Sequence, residues 1–418
     1  MTDASFRRLN GRGAINVNPV KWFKTGLTLA ASHSKTSSSM NGVGDGSDKV
    51  NNPFLTCRTM APIYAVHEHN PYTGEYLRDE SGDLIYNLGH LDNVTLYNPA
   101  TGQNEEVEYW QVNNRTLDRN VIYESYLNAD KRVKNTMNAT AYADFNLPYG
   151  FVFSLKGNML TRNSEQYWMG SAKIGDYVGK NGSLEKEIYN YKNWTFLQQL
   201  RWNHTYGKNT IEVLLGHENY SYKYDYTNGQ KTNESFPSIP ALSNYSEMKS
   251  ITGSTSRYRT ESYLARVQYN YDDRYNFEAS FRRDASSRFA KAHRWGNFGS
   301  VGANWVFTNE DFMKDYTWIT NGKLRADWGQ VGQDAGAGYY ESYATYVNTV
   351  NNSMAAYYIS SNAAADLKWE TGESWGSALE GRLFNRWNLS LEYYDKRNKD
   401  LLFNVYAPIS QGSTKYGD

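Results

Sequence analysis

Residues 258–307 read YRTESYLARVQYNYDDRYNFEASFRRDASSRFAKAHRWGNFGSVGANWVF, and this stretch decides the fold class. Tyr263, Ala265, Val267, Tyr269 and Tyr271 fall on one parity, while Ser262, Arg266, Gln268 and Asn270 fall on the other. After Asp272-Asp273-Arg274 the alternation resumes, with Tyr275, Phe277, Ala279 and Phe281 against Asn276, Glu278, Ser280 and Arg282. A third segment sets Val301, Ala303, Trp305 and Phe307 against Ser300, Gly302 and Asn304. Successive side chains of a strand point to opposite faces, so this period of two predicts three strands. One face is apolar and aromatic, the other charged. Such a sheet is either half-solvated on a soluble core or the wall of a barrel between lipid and a wet lumen.

The totals narrow the choice. The chain has 418 residues, with 44 basic and 44 acidic side chains and a formal net charge of zero. No basic field points to nucleic acid, and no acidic tail points to disorder. Mean hydropathy is −0.75 and hydrophobic residues make up 39%. That excludes membrane-spanning helices, which need about 20 consecutive apolar residues. It leaves a membrane barrel open, because only alternate residues of each strand face lipid. The 36 Tyr, 12 Trp and 16 Phe suit membrane–water interfaces, and equally the recognition of sugars or peptides. Cys57 is the single cysteine, so no intrachain disulfide forms. Met1-Thr-Asp-Ala-Ser-Phe-Arg-Arg8 has no apolar run or cleavage site, so it is not a signal peptide. Ser410–Asp418 is loop-like, and together the two ends lead us to expect a segment of a longer chain.

About twelve strands in six hairpins are predicted. The hairpins turn at Asn18-Pro19-Val20, Leu147-Pro148-Tyr149-Gly150, Gly207-Lys208-Asn209, Asp272-Asp273-Arg274 and Phe384-Asn385-Arg386. The remaining hairpin, Trp295–Phe307 with Lys323–Val331, has a longer connection in which Thr308–Met313 predicts a capped helical turn. Between hairpins lie long polar connections, 35–130, 163–193, 228–256 and 332–366. Soluble domains seldom carry so many long connections without helices. Alternating short and long connections instead match an outer-membrane barrel, with tight periplasmic turns and long extracellular loops. The apolar face then looks outward to lipid.

The same residues resemble a known family. Gly253–Arg259, Tyr263–Tyr269, Phe281-Arg-Arg-Asp-Ala-Ser-Ser-Arg-Phe289 and Arg294-Trp-Gly296 are similar to the SusC/RagA group of TonB-linked outer-membrane receptors. Lys323-Leu-Arg-Ala-Asp-Trp-Gly-Gln-Val-Gly332, Asp366-Leu-Lys-Trp-Glu-Thr371 and Tyr393-Tyr-Asp-Lys-Arg-Asn-Lys-Asp-Leu-Leu402 resemble that family's later strands in order and spacing. Ala285 and Ala290 stand where the family usually has Gly, and Gly299 where it usually has Pro.

The resemblance implies an all-β fold: an antiparallel transmembrane β-barrel segment of about 12 strands with long extracellular loops. Residues 1–418 would form part of a receptor barrel domain, incomplete at both ends, in the cell outer membrane. It implies import of an oligosaccharide, or else a peptide, with a SusD-like surface lipoprotein capturing substrate. The TonB complex would act through a plug region outside this segment. The expectation is therefore no enzyme, no cofactor, no nucleic-acid partner, and no transport by the segment alone. A siderophore or vitamin receptor and a soluble carbohydrate-binding β-protein are the other readings.

Paired loop aromatics are the candidate substrate contacts: Tyr109-Trp110, Tyr167-Trp168 and Tyr339, Tyr340 and Tyr343, with Tyr357-Tyr358 beside them. Flat aromatic faces stack on sugar rings and anchor interfaces. His67-Glu68-His69 offers metal-ligand types without a third or fourth ligand, and reads as a solvated loop. Gly42–Asp48 lacks the spacing of a calcium loop. Gly332–Gly338 follows a strand but opens no nucleotide-binding helix. Arg282-Arg283-Asp284 with Arg288 reads as a self-paired hairpin tip rather than a ligand cluster.

Overall fold

Twelve strands hydrogen-bond in chain order into one antiparallel sheet in the computed structural model, which describes residues 4–38, 65–70, 72–87, 94–107, 120–403, 405–406 and 415–416. Its first half is β1 (Ser5–Val20), β2 (Phe23–Ser38), β5 (Ala129–Asn146), β6 (Phe151–Gly170), β7 (Ser183–Tyr206) and β8 (Asn209–Glu234). Its second half is β9 (Tyr245–Tyr271), β10 (Tyr275–Ser286), β11 (Trp295–Trp305), β12 (Ile319–Gln333), β15 (Glu370–Leu383) and β16 (Trp387–Lys399). Two small hairpins stand apart, β3 (Val94–Asn98) with β4 (Gln103–Val107) and β13 (Thr345–Asn351) with β14 (Met354–Ser361). Among the described residues no helix is long and apolar enough to cross a membrane, which says nothing about crossing with strands.

Register carries the alternation across the sheet. Phe23, Phe145, Phe153, Leu200, Leu215, Ala265, Phe281 and Gly299 pair strand to strand in one row. A second row runs Phe151, Trp202, Val213, Val267, Ala279, Val301, Trp328 and Trp375. These side chains share the outer face, and many are large and solvent-exposed, including Leu215, Phe281, Val301 and Trp375. A contiguous apolar surface of this extent needs a non-aqueous partner. The intervening residues form the inner face. There Arg266 meets Glu212 at 3.3 Å, Asn276 donates to Asn304 at 2.9 Å, and Arg325 pairs with Glu380 at 2.9 Å and Glu392 at 3.1 Å.

Turn chemistry sets the short end. Asp272 and Asp273 both take a left-handed φ of 52°, and Arg274 N–H closes the turn on the Tyr271 carbonyl at 2.9 Å. Two consecutive positive φ values give the turn twist that matches paired strands, and Asp tolerates them. Phe384 and Asn385 repeat the geometry at φ of 50° and 58°. The connection from β11 to β12 departs from expectation. It holds two single 3₁₀ turns, Phe307–Asn309 and Asp311–Met313, without side-chain caps, rather than one capped helical turn.

The long connections are corrected more substantially. β7, β8 and β9 run to 24, 26 and 27 residues, so residues 163–170, 183–193, 228–234 and 245–256 are strand. What remains between them is residues 171–182 and 235–244. Residues 35–130 and 332–366 contain the two small hairpins and a short helix, Val121–Leu127, which Asn120 caps by accepting from Tyr123 N–H at 3.0 Å. At the long-loop end a small core gathers the tips. Phe289, Ala337 and Leu367 are buried there, packed by Ala364, Trp369 and Leu402.

Candidate ligand-facing surface

The inner face beyond the apolar rows is built of tyrosine. The sequence Tyr220-Ser-Tyr-Lys-Tyr-Asp-Tyr226 on β8 alternates, so Tyr220, Tyr222, Tyr224 and Tyr226 all project inward. Register sets Tyr191 opposite Tyr224, Tyr189 opposite Tyr226, and Tyr258 opposite Tyr222. The rings form a continuous surface. Tyr191 and Tyr224 have centroids 4.7 Å apart, Tyr189 and Tyr226 5.1 Å, and Tyr220 and Tyr258 6.0 Å. Glu187 anchors one end, accepting from the Tyr226 hydroxyl at 2.6 Å and from Tyr189. Arg162 lies 5.6 Å over the Tyr191 ring. Flat faces edged by hydroxyls and one carboxylate offer stacking and hydrogen bonds together, which polar rings and peptide groups both accept.

A clamp holds the loop after β12 against this surface. The Arg288 guanidinium lies 4.8 Å from both the Tyr258 and Tyr339 ring centroids. It donates to the Ala337 carbonyl and faces Asp334 at 3.6 Å. Asp334 also accepts from the Tyr258 hydroxyl at 2.7 Å and from Ser286 at 2.6 Å. A planar cation stacks on two rings at once only as arginine.

Toward the short turns, the inner face becomes a polar trough of about 630 Å³ lined by Glu212, Gln268, Glu278, Asn304, Arg325 and Asp327. Its groups are knitted across strands: Gln268 donates to Glu278, and Ser280 bonds Ser300 at 2.6 Å. A hydrogen-bonded wall of this kind presents polar groups to a hydrated ligand.

The expected site residues disperse. Tyr109 and Trp110 lie outside the described residues, as do Gly42–Asp48 and Cys57. Tyr167 and Trp168 are not loop residues but neighbours on β6, so they face opposite ways. Trp168 shares the inner face with Asp130 and Glu185, while Tyr167 faces outward with Lys186 5.9 Å from its ring. Tyr339 joins the inner aromatic surface, 6.1 Å from Tyr222. The Tyr340 hydroxyl accepts from Arg257 N–H at 2.9 Å, and Tyr343 is half exposed. Tyr357 and Tyr358 sit on the separate β13–β14 hairpin. His67 packs on the rings of Tyr86, at 4.6 Å, and Tyr76, at 6.1 Å. Among the described residues no three His, Cys, Asp or Glu side chains gather to hold a metal.

The arginine cluster separates into three environments rather than one tip. Arg282 pairs with Asp284 at 2.7 Å on β10, Arg283 covers Trp295 at 5.0 Å on the outer face, and Arg288 is the clamp. The tyrosine surface itself was missed, although the spacing Tyr-x-Tyr-x-Tyr-x-Tyr is printed in the sequence. Its alternation is aromatic against polar with lysine and aspartate between, and a hydropathy period does not register it.

A family model described as TonB dependent receptor-like, beta-barrel matches residues 68–416. The TonB-dependent receptor SusC of Bacteroides thetaiotaomicron is 30% identical over 244 residues, covering 56% of this chain and 24% of that protein. TonB-dependent receptor P39 of Formosa agariphila is 32% identical over 232 residues, covering 54% of this chain and 22% of its own length. The chain thus spans about a quarter of the length of the curated relatives it matches. In solved structures, 99% of the chain superposes on 42% of a chain of the RagAB peptide importer, with a TM-score of 0.75 at 18% identity, which shows a shared fold. An outward apolar wall, an inward polar one and a model matched along most of the sequence agree: the chain belongs to the TonB dependent receptor-like β-barrel family of the outer membrane.

Proposed function

We propose that residues 1–418 are part of the barrel domain of a receptor that imports a bulky polar nutrient, an oligosaccharide before a peptide, across the outer membrane. The observation that carries this reading is the inner tyrosine surface from Tyr189 to Tyr258, which leads down to the polar trough. Stacking rings at the mouth and hydrogen-bonding groups below suit a large hydrated ligand better than a compact apolar one. In this reading a SusD-like surface lipoprotein delivers the ligand over the long-loop end. TonB works on a plug seated against the trough. Trp168, Tyr339 and Tyr343 extend the contact surface and Tyr340 props it through Arg257; Tyr109 and Trp110, outside the described residues, are further candidate contacts.

The test uses the full-length receptor with Tyr222→Ala and Tyr224→Ala together. Binding is read on an array of oligosaccharides and a pool of peptides. Losing two stacked rings should weaken the bound class by roughly ten-fold or more. Heat-modifiable gel migration should stay unchanged, as the barrel is intact. Unaltered binding by the double variant would sink the assignment of this surface. Binding of peptides alone would replace the oligosaccharide reading.

A further inference from the structure

The outer face above the apolar rows carries charge in an unusual arrangement. Lys192 on β7 sits directly opposite Lys223 on β8, and Lys223 directly opposite Arg257 on β9. The parity that puts Trp194, Leu215 and Tyr263 on the apolar face puts all three cations on that same face, one row above Trp194. Arg259, opposite Ser221, adds a fourth. Neighbouring strands are about 4.8 Å apart, and like charges set directly opposite one another destabilise a sheet. Two carboxylates lie close by, and both are engaged. Asp225 is held by Lys223 at 2.7 Å and by Thr255 at 2.7 Å, while Glu261 is held by His217 at 3.1 Å and Tyr263 at 2.9 Å. Among the described residues, no ion pair within 4.0 Å engages the side chain of Lys192, Arg257 or Arg259.

The surroundings say what would balance this row. Below it lie Trp194 and Phe196, large and exposed on the face turned to lipid, while Met137 shares its row. A groove of about 800 Å³ runs sideways along this row, from Lys223 and Lys192 past Thr161 to Met137 and Ala31, with Asn163 and Leu9 one row above. Its rim presents amide and ammonium donors, and the exposed rings of Trp194 and Phe196 below it suit an acyl chain. With short turns on the periplasmic side, the long-loop end is extracellular, so this rim lies at the headgroup level of the outer leaflet. Aromatic residues mark that level in membrane proteins, and Trp194 and Tyr263 stand there.

We infer that Lys192, Lys223 and Arg257 form a docking site for the phosphate of an outer-leaflet lipid, with its acyl chain lying below them over Trp194 and Phe196. A phosphate accepts from several cations at once and relieves their mutual repulsion. The inference rests on the outer-membrane placement, not on which nutrient passes through the lumen.

The full-length receptor should be purified into nanodiscs of phosphatidylcholine doped with lipid A, in phosphorylated and dephosphorylated forms. Lipid retained per receptor is then counted by native mass spectrometry. The wild type should keep phosphorylated lipid A and release the dephosphorylated form. The variant Lys192→Gln/Lys223→Gln/Arg257→Gln should lose roughly ten-fold or more of that retention, since each cation near a charged surface contributes measurably. Arg257→Gln alone should show an intermediate loss, which keeps the test decisive if the triple variant folds poorly. Equal retention of the two lipid forms, or retention unchanged by the substitutions, overturns the inference. Addition of inorganic phosphate should not displace the lipid, and displacement would show a free-anion site instead. Ligand binding by the same variants reports separately on the transport reading, because these side chains face away from the lumen.

Discussion

At the scale of single residues, function here rests on contacts between groups far apart in sequence. Arg288 lies 4.8 Å from the ring centroids of both Tyr258 and Tyr339 and is tied to Asp334 and Ala337. Arg288→Lys keeps the charge but loses the plane that stacks on both rings. We expect a local loss of about 1–2 kcal/mol, seen as faster proteolysis within residues 334–344 while heat-modifiable migration is retained. Gly332 makes the complementary point. A Cβ there would come within 2.0 Å of the Phe298 ring, so the position is glycine for steric reasons and not for a phosphate. Gly332→Ala should cost about 1–3 kcal/mol through displacement of that ring, measurable as a lower temperature for loss of the folded gel species. Neither role was legible from the sequence. The arginine run 282–288 announced charge, but the partners of Arg288 come from another strand and a loop some fifty residues on.

At the scale of elements, the short-turn end has its own clasp. Glu310, between the two 3₁₀ turns, accepts from the Tyr275 hydroxyl at 2.6 Å and Trp305 Nε1 at 3.1 Å, and pairs with Arg274 at 3.0 Å. These donors, Tyr275 foremost, hold its carboxyl below the usual carboxylate range. A carboxyl depressed in the folded state stabilises fully above its ordinary value and loses that contribution as pH falls through the folded value. Hydrogen exchange across residues 306–318 should therefore speed up on acidification from neutral pH to about pH 3. In Glu310→Gln the exchange should already be faster at neutral pH and respond little to acid. The same elements explain what could be read in advance. Next to the short turns, each strand has lipid on one side and a wet lumen on the other, so hydropathy alternates and six hairpins emerge. Farther up, Glu185-Lys-Glu-Ile188 on β7 or Glu247-Met-Lys-Ser-Ile-Thr-Gly253 on β9 meets no lipid, and the hydropathy contrast disappears while the strand continues. Residues 163–193 and 228–256 therefore resembled loops although most of them are strand.

At the scale of the molecule, the sheet is an arc with two edges. β1 and β16 each pair on one side among the described residues, and every residue of β1 is exposed. Unpaired backbone groups in hydrocarbon cost several kcal/mol each. Reconstituted by themselves, these 418 residues should give no energised uptake in vesicles; uptake at the level of the full-length receptor would refute this. The height of the wall has a separate consequence. Along β9, 27 residues rise about 90 Å along the strand, or about 60 Å normal to a bilayer at a 45° tilt, against a hydrocarbon core of about 30 Å. The mouth then stands roughly three Debye lengths above the lipid surface at physiological salt. A charged ligand approaching it is screened from the potential of the anionic leaflet. Its encounter rate is governed by the local groups at the rim, such as Glu187 and Arg288, and not by the surface charge of the cell.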